Sequence, residues 1–154
     1  MKTLIICFSY HHKNTEKIAS VFEKTLEAEV KAPAQVDSKA LGDYDLLGFG
    51  SGISFGKHYK DLLDLAGKLP QAANKKAFIF STSGQTGKTT KFHQNLREVL
   101  VSKGFTILGE FNCAGFDTYG ALKIFGGIQK GHPDEEDLKQ AEAFALSLKQ
   151  STKT

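Results

Sequence analysis

Four short, uninterrupted apolar segments constrain the fold of this chain more than any other feature. They are Leu4–Phe8, Leu46–Gly50, Ala77–Phe80 and Phe105–Leu108. An extension of the fourth segment to Cys113 is open. Such runs are short for helices, and their continuous apolar character is typical of strands that are covered on both faces of a parallel sheet.

Segments with helical periodicity separate these strands. In each, apolar residues recur at the spacing that places them on one face of a helix. The members are Ile18, Phe22 and Leu26; Leu62, Leu63, Ala66 and Leu69; Phe92, Leu96, Val99 and Leu100; and Leu138, Ala141, Ala145 and Leu148. We expect Pro70 and Gly104 to end the second and third helices, and Pro133 to begin the fourth. Glu29–Lys31 predicts a short edge strand.

Strands that alternate with helices predict an α/β protein, in which helices cover both faces of a parallel sheet. The 154 residues suffice for one such domain, which we expect over 1–150, with a loose tail over 151–154. No apolar run reaches the length of a membrane span. The apolar stretch near the N-terminus ends at Phe8 and is too short for a signal peptide, so we expect a cytoplasmic protein.

Charge and composition argue against several classes of partner. The net charge is +3 and the lysines are scattered, whereas nucleic-acid binding needs a basic stripe. Cys7 and Cys113 fall in strands that are not expected to be neighbours, so we predict two reduced, buried thiols. The histidines lack metal-ligand spacing, and no metal site is predicted.

Polar loops rich in hydroxyl groups, glycines or aromatic rings follow all four apolar strands. They read SYHHKNT, SGISFGK, STSGQTGK and AGFDTYG. Ligands of doubly wound sheets bind outside the carboxyl ends of the strands, so these loops predict a small-molecule site. The Gly-Lys-Thr of the third loop lacks the first glycine of a Walker A loop, which argues against a nucleoside triphosphate.

The loop over residues 9–15 connects the first strand to the first helix. Its backbone N–H groups and the helix dipole favour an anion at this point. Ser9 and His11 could add side-chain donors. Asn14 and Thr15 can cap the helix, and capping alone is the alternative interpretation of these two residues.

These motifs resemble those of the flavodoxin family. The segment HHKNTEKIA is similar to the flavodoxin phosphate loop, T/S-x-T/S-G-N-T; it matches at Asn14 and Thr15 and has Lys13 in place of the glycine. FSTSG at 80–84, GFDTYG at 115–120 and GGIQKGHPDEEDL at 126–138 also look like this family, the last like a group of short flavodoxin-like chains. The resemblance spans nearly the whole chain. It implies a flavodoxin-like three-layer α/β/α sandwich around a five-stranded parallel sheet of order 2-1-3-4-5.

The resemblance also implies that the ligand is FMN. It places Ser9, His11, Lys13, Asn14 and Thr15 around the phosphate, Ser54, Phe55 and Gly56 beside the isoalloxazine, Thr82, Ser83 and Gly84 at the pyrimidine edge, and Phe116, Asp117 and Tyr119 on the remaining side. Phe55 and Phe116 could instead cover the end of a helix or strand, and Tyr59 could belong to the buried face of the next helix. Lysine tolerates the backbone of a loop glycine less well, but Lys13 adds a cation beside the phosphate.

Three functions are open. The resemblance implies an electron carrier that cycles oxidised, semiquinone and hydroquinone flavin between redox partner proteins. The alternative is an FMN-dependent reductase that uses NAD(P)H and a small acceptor such as a quinone or flavin; such enzymes often build their pocket across a dimer, so monomer and homodimer are both open. The short chain shows no obvious nicotinamide shelf, which favours the carrier. A binding module without FMN is the third possibility.

Charge beside the ring bears on the potential of a bound flavin. Flavodoxins are commonly acidic, whereas this chain has a net charge of +3 and places Lys57 and His58 beside the expected ring site. We therefore predict a less negative hydroquinone potential than in an acidic flavodoxin.

Overall fold

The computed structural model describes residues 1–9, 13–115 and 131–153. The strands are β1 (Thr3–Phe8), β2 (Glu29–Lys31), β3 (Leu46–Ser54), β4 (Lys57–His58), β5 (Lys76–Ser83) and β6 (Thr106–Ala114). The helices are α1 (Asn14–Leu26), α2 (Lys60–Lys68), α3 (Thr89–Phe92), α4 (Gln94–Ser102) and α5 (Glu135–Thr152), with 3₁₀ turns at Pro33–Gln35 and Ser38–Asp43. None of the helices in these ranges combines the length and the apolar character that a membrane span requires.

The parallel strands lie in the order β2-β1-β3-β5-β6, and the two-residue β4 pairs antiparallel with the end of β3. Without β4 the order is 2-1-3-4-5, which confirms the predicted flavodoxin-like sheet. The chain leaves β1 for β2 on one side and then crosses to β3 on the other. The topological switch point, where doubly wound sheets bind ligands, therefore lies at the carboxyl end of β1.

Two apolar clusters, one on each face of the sheet, confirm the three-layer arrangement. Phe78 and Phe80 of β5 pack with residues of α1 and α5. Ala77 and Ile79 of the same strand pack with residues of α2 and α4. Because successive strand residues face opposite sides of a sheet, a continuous apolar run supplies both clusters.

Phe22 of α1 lies at the centre of an aromatic cluster on the α1/α5 face. Its ring centroid lies 5.1–5.9 Å from those of four phenylalanines, Phe78, Phe80, Phe111 and Phe144. Two glycines of β3 make room for these rings: an added Cβ at Gly48 would lie 2.3 Å from the Phe78 ring, and one at Gly50 would lie 2.3 Å from the Phe80 ring. The glycines of the predicted strand are thus required by packing.

The ends of several elements differ from the prediction. β6 runs to Ala114, which confirms the open extension of the last strand. The third predicted helix is divided into α3 and α4 at His93. α5 begins at Glu135, two residues after Pro133, because Asp134 is its N-cap and accepts a hydrogen bond from the Asp137 N–H. The same helix runs to Thr152, two residues into the expected tail.

The predicted state of the cysteines is confirmed. Cys7 in β1 and Cys113 in β6 are both buried and free, and their strands are not neighbours in the sheet. Burial raises the pKa of each thiol to about 12, and nearby carboxylates add to the shift. Both thiols therefore stay protonated at neutral pH.

Replacing Gly50 with alanine should destabilise the protein, because the new methyl group would overlap the buried Phe80 ring. We expect the free energy of unfolding to fall by about 1–3 kcal/mol. Gly67→Ala is the matched control, since nothing lies within 4 Å of a Cβ at this glycine of α2. That substitution should raise the free energy of unfolding by up to about 1 kcal/mol. Urea denaturation measures both, and a neutral Gly50→Ala would contradict the packing argument.

Candidate functional site

The predicted site residues that the structure describes lie on three segments at the carboxyl edge of the sheet. They are Ser9, Lys13, Asn14 and Thr15 after β1, Ser54, Phe55 and Gly56 at the β3–β4 turn, and Thr82, Ser83 and Gly84 at the end of β5. His11, Phe116, Asp117 and Tyr119 lie outside the described residues.

Lys13 is the N-cap of α1 and lies in the left-handed region, with φ 54° and ψ 33°. Glycine adopts this conformation readily, and lysine adopts it here at a cost of about 1–2 kcal/mol. The Lys13 side chain makes no capping hydrogen bond. Asn14 and Thr15 are the first two residues within the helix, so the interpretation of these residues as N-caps is wrong.

Ser9 contributes a hydroxyl group to the same end of α1. Its Oγ is buried and has no hydrogen-bond partner within residues 1–9, 13–115 and 131–153. A buried hydroxyl needs a partner, and the N–H groups in the first turn of a helix donate no intrahelical hydrogen bond. Together with the positive end of the helix dipole, these donors suit an anion.

Direct contacts connect the start of α1 with the ends of β5 and β6. Thr15 Oγ1 and Thr82 Oγ1 share a hydrogen bond of 2.8 Å. The Gly115 N–H donates to the Ser83 carbonyl over 3.0 Å. A Cβ at Gly115 would lie 2.8 Å from Asn14 Nδ2, so a larger residue here would have to displace the Asn14 side chain. Because the Thr82 hydroxyl is already bonded, Thr82 can meet a ligand mainly through its backbone.

The β3–β4 turn presents an aromatic ring to solvent. Phe55 and Gly56 both have positive φ, 53° and 78°, as a two-residue type I′ hairpin turn requires. Phe55 is 84% exposed, so the alternative in which it covers a helix or strand end is wrong. A bulky side chain at positive φ is strained, and such strain is characteristic of functional sites.

Tyr59 connects the β3–β4 hairpin to β1 and to the start of α2. It is the N-cap of α2, and its ring packs edge-on against Phe8 at a centroid distance of 5.5 Å. Its N–H donates to Ser51 Oγ over 3.1 Å, and that hydroxyl donates to the Gly52 carbonyl over 2.7 Å. A Cβ at Gly52 would lie 3.0 Å from the Tyr59 ring.

A polar network beneath the β5 loop was not predicted. We call it the His93 network; its members are Ser81, His93, Arg97, Glu110 and Asn112. His93 Nε2 lies 2.6 Å from Ser81 Oγ, and His93 Nδ1 lies 2.9 Å from Glu110 Oε1. Arg97 donates to both Glu110 oxygens over 2.7 Å, and Asn112 Nδ2 donates to Ser81 Oγ over 2.8 Å.

The pKa shifts of His93 and Glu110 indicate where the protons of this network lie. Burial lowers the pKa of His93 to about 4 despite the Glu110 carboxylate, so His93 is neutral at pH 7. Burial alone would raise the pKa of Glu110, but the Arg97 guanidinium and His93 lower it. Glu110 is therefore ionised and accepts the Nδ1 proton of His93. The remaining lone pair on Nε2 accepts from the Ser81 hydroxyl.

The order serine, histidine and carboxylate is that of a hydrolase triad. Ser81 and His93 are both fully buried, at 0% exposure. A nucleophile must be reachable by substrate, so this arrangement does not support acyl transfer. The His93 network is therefore not a hydrolase active site.

His58 on β4 corrects one expectation. It was predicted beside the ring as a source of positive charge, but only 1% of it is exposed, and Nε2–H donates to the Phe80 carbonyl over 3.0 Å. Its ring centroid lies 4.9 Å from that of His93, and burial, with a contribution from His93, lowers its pKa to about 3. His58 is thus neutral, whereas Lys57 is exposed.

His132, Asp134 and Asp137 form a further cluster that the sequence analysis missed. His132 Nδ1 lies 2.6 Å from Asp137 Oδ2, and the three potential ligand atoms lie within 4.8 Å of one another. Asp134 and Asp137 form the capping box of α5, and the hydrogen bond to Asp137 raises the pKa of His132. Helix capping accounts for the cluster without a metal.

The free energy of unfolding should depend on pH through His58 and His93. Below the ordinary pKa of 6.5 the unfolded chain binds protons that the folded protein excludes, until pH approaches their folded pKa values of about 3 and about 4. Stability should therefore fall as pH decreases below 6.5, by up to about 1.4 kcal/mol per pH unit for each histidine.

Chemical denaturation at several pH values measures this dependence. His58→Gln should make the pH dependence of the free energy of unfolding shallower by the contribution of one histidine. His132→Asn is the control and should not flatten it, because the folded pKa of His132 is raised. An unchanged slope in His58→Gln would contradict the assignment.

No family model matches the chain. The protein named "Uncharacterized protein MJ0298" of Methanocaldococcus jannaschii is 51% identical over 148 residues, which cover 96% of this chain and 98% of that protein.

Solved structures share the fold at low sequence identity. Oxidised flavodoxin 2 from Bacillus cereus superposes with a TM-score of 0.73 at 20% identity, covering 98% of this chain and 99% of that chain. The Fusobacterium nucleatum flavodoxin bound to flavin mononucleotide gives a TM-score of 0.69 at 14% identity, with the same coverage of 98% and 99%. The chain therefore belongs to the same family as MJ0298, and its fold is that of the flavodoxins.

Proposed function

We propose that this protein is a cytoplasmic electron carrier that binds FMN at the carboxyl edge of its sheet and exchanges electrons with partner proteins. The observation that carries this proposal is the set of groups at the start of α1 and directly after β1. Lys13 provides a cation but no side-chain cap, and the buried Ser9 hydroxyl lacks a partner among the described residues. The FMN bound to the F. nucleatum flavodoxin supports the choice of ligand.

The residues present fit a phosphate monoester. Ser9 Oγ and the first-turn N–H groups of α1 would donate to the phosphate oxygens, and the helix dipole and Lys13 would favour its negative charge. Thr15 would act mainly by fixing this turn, because its hydroxyl is bonded to Thr82.

The two other segments fit an aromatic ring system. Phe55 at the hairpin tip would pack against the isoalloxazine, with Ser54 and Gly56 beside it. Gly56 has positive φ and no atom within 4 Å of an added Cβ, so its peptide can reorient at low cost. Thr82, Ser83 and Gly84 would meet the pyrimidine edge, mainly through backbone groups, since the Ser83 hydroxyl donates to the Gln85 carbonyl.

FMN supplies the redox chemistry when bound, and the chain sets the access to it and its potential. Cys7 and Cys113 would not compete as redox groups, because burial raises the pKa of both thiols to about 12. The exposed Phe55 lies where a partner protein could approach the ring. We therefore favour an electron carrier with separate donor and acceptor proteins.

Titration of the FMN-free protein tests the phosphate site. FMN should bind at least about tenfold more tightly than riboflavin, which lacks the phosphate, since charge-assisted hydrogen bonds contribute about 1.5–3 kcal/mol. Lys13→Gly should weaken FMN binding severalfold at low salt but leave riboflavin binding unchanged. The same variant should raise the free energy of unfolding by about 1 kcal/mol, because glycine relieves the left-handed backbone.

Glu27→Gly is the matched control for that variant. Glu27 also lies in the left-handed region, with φ 51°, at the opposite end of α1. The control should gain stability without changing either affinity. Failure of FMN to bind the wild-type protein, or equal affinities for FMN and riboflavin, would refute the proposed site.

Lys57→Glu should lower the midpoint reduction potential of bound FMN, because the exposed cation that favours added electrons becomes an anion. We expect a shift on the order of tens of mV, since exposed charge pairs contribute about 0.2–1 kcal/mol. Lys39→Glu makes the same change in charge at an exposed lysine of the 38–43 turn and should leave the potential nearly unchanged. A potential that did not respond to Lys57→Glu would contradict the charge argument.

Anaerobic mixing with NADH or NADPH separates the carrier from the reductase alternative. The flavin absorption of the loaded carrier should persist. Rapid bleaching by either nicotinamide would contradict the carrier and favour the reductase.

A further inference from the structure

We propose that Asn112, Ser81 and His93 are positioning residues that hold Ser83 and the turn after it in the geometry that binds the flavin ring. This inference rests on the proposed FMN site and adds supporting residues that the family motifs do not include. None of the three would contact FMN. They would act through the segment 83–85, which includes Ser83 and Gly84, two of the residues expected at the pyrimidine edge.

Asn112 is the direct connection to this segment. From one amide nitrogen it donates to Ser81 Oγ over 2.8 Å and to Ser83 Oγ over 3.1 Å. Ser81 and Ser83 are two residues apart on β5 and face the same side of the sheet. The bond to Ser83 leaves its hydroxyl proton for the Gln85 carbonyl, which closes the turn over residues 83–85.

The His93 network fixes the direction of these hydrogen bonds. Arg97 holds Glu110 through two bonds of 2.7 Å, and Glu110 Oε1 lies 2.9 Å from His93 Nδ1. A proton on Nδ1 leaves Nε2 as an acceptor, so the Ser81 hydroxyl must donate to it. Ser81 Oγ is then available as an acceptor for Asn112. Each partner has a single role, and the amide cannot rotate without losing a bond.

The network is anchored on β6, which pairs with β5, and on α4. Glu110 and Asn112 lie on β6 opposite Ile79 and Ser81 of β5. Arg97 lies on α4 and also donates to the Thr90 carbonyl over 3.1 Å. Without Asn112, Ser83 would retain the backbone bond from Gly115, but its side chain would lose the support that orients the turn.

The test compares Asn112→Ala with Tyr44→Phe. Tyr44 donates a 2.8 Å hydrogen bond to Glu29 away from the site, so Tyr44→Phe removes a hydrogen bond without touching the binding segments. In the FMN-free proteins, amide hydrogen exchange over residues 84–87 should be about tenfold faster in Asn112→Ala and unchanged in Tyr44→Phe. With ligand, Asn112→Ala should weaken FMN and riboflavin binding by the same factor, about tenfold, because the defect lies at the ring and not at the phosphate. The midpoint potential of its bound FMN should also shift.

The outcomes separate this inference from the proposed function. If wild-type protein binds neither FMN nor riboflavin, the proposed function fails, and hydrogen exchange still tests the positioning role. If the wild type binds FMN and Asn112→Ala retains wild-type exchange, affinity and potential, the positioning role is refuted. If Asn112→Ala does not fold, Ser81→Ala replaces it, with the same expected results, because loss of the Ser81 acceptor frees the Asn112 amide. A Tyr44→Phe protein that shows the same changes as Asn112→Ala would also overturn the inference.

Discussion

Strand β5 passes from an apolar environment at its start to a polar one at its end. Near its start, Ala77 and Ile79 pack into the apolar α2/α4 cluster. Towards its end the same face carries Ser81 and Ser83, whose hydroxyls would be costly to bury without partners. The His93 network supplies those partners. Strand β5 can therefore run from the core to the candidate site without leaving the hydroxyl of either serine unsatisfied.

Two residues at the carboxyl edge have strained backbones, in conformations that glycine would adopt at lower energy. Lys13 and Phe55 both have positive φ, and both belong to segments of the candidate site. At each position the side chain offers something that glycine lacks: a cation at the helix end and an exposed aromatic ring at the hairpin tip. The fold tolerates this strain because the packed core offsets its cost. The rings around Phe22 belong to that core and are separate from the two strained residues.

Much of the fold follows from local sequence patterns. The apolar runs predicted the central strands, and the helical spacing predicted the helices, because burial on two faces or one face leaves a direct periodic signature. The hairpin was missed because its turn is Phe55-Gly56, without the asparagine or aspartate that usually marks a type I′ turn. The N-cap was misplaced because Lys13 adopts a conformation that lysine rarely takes.

The loops of the candidate site could be predicted from the sequence, but the His93 network beside them could not. Loop composition placed Thr15 and Thr82 at the same edge, and the structure joins them by a hydrogen bond. The His93 network brings together residues from β5, β6 and α4 whose contacts no spacing reveals. A weak signal did exist: Glu110 is a charge in the middle of an otherwise mainly apolar strand, which indicates a partner such as Arg97.

The placement of the two thiols links their chemistry to the opening of the sheet. Cys7 lies in an inner strand and Cys113 in an edge strand, with two strands between them. Alkylating reagents and oxidants need an exposed thiolate, so modification has to wait for opening of the surrounding structure. A disulfide between the two sulfurs would require the strands to separate. The crosslinked chain could then not re-form the native sheet. Oxidation of these two thiols is thereby limited by the rate at which the structure around them opens.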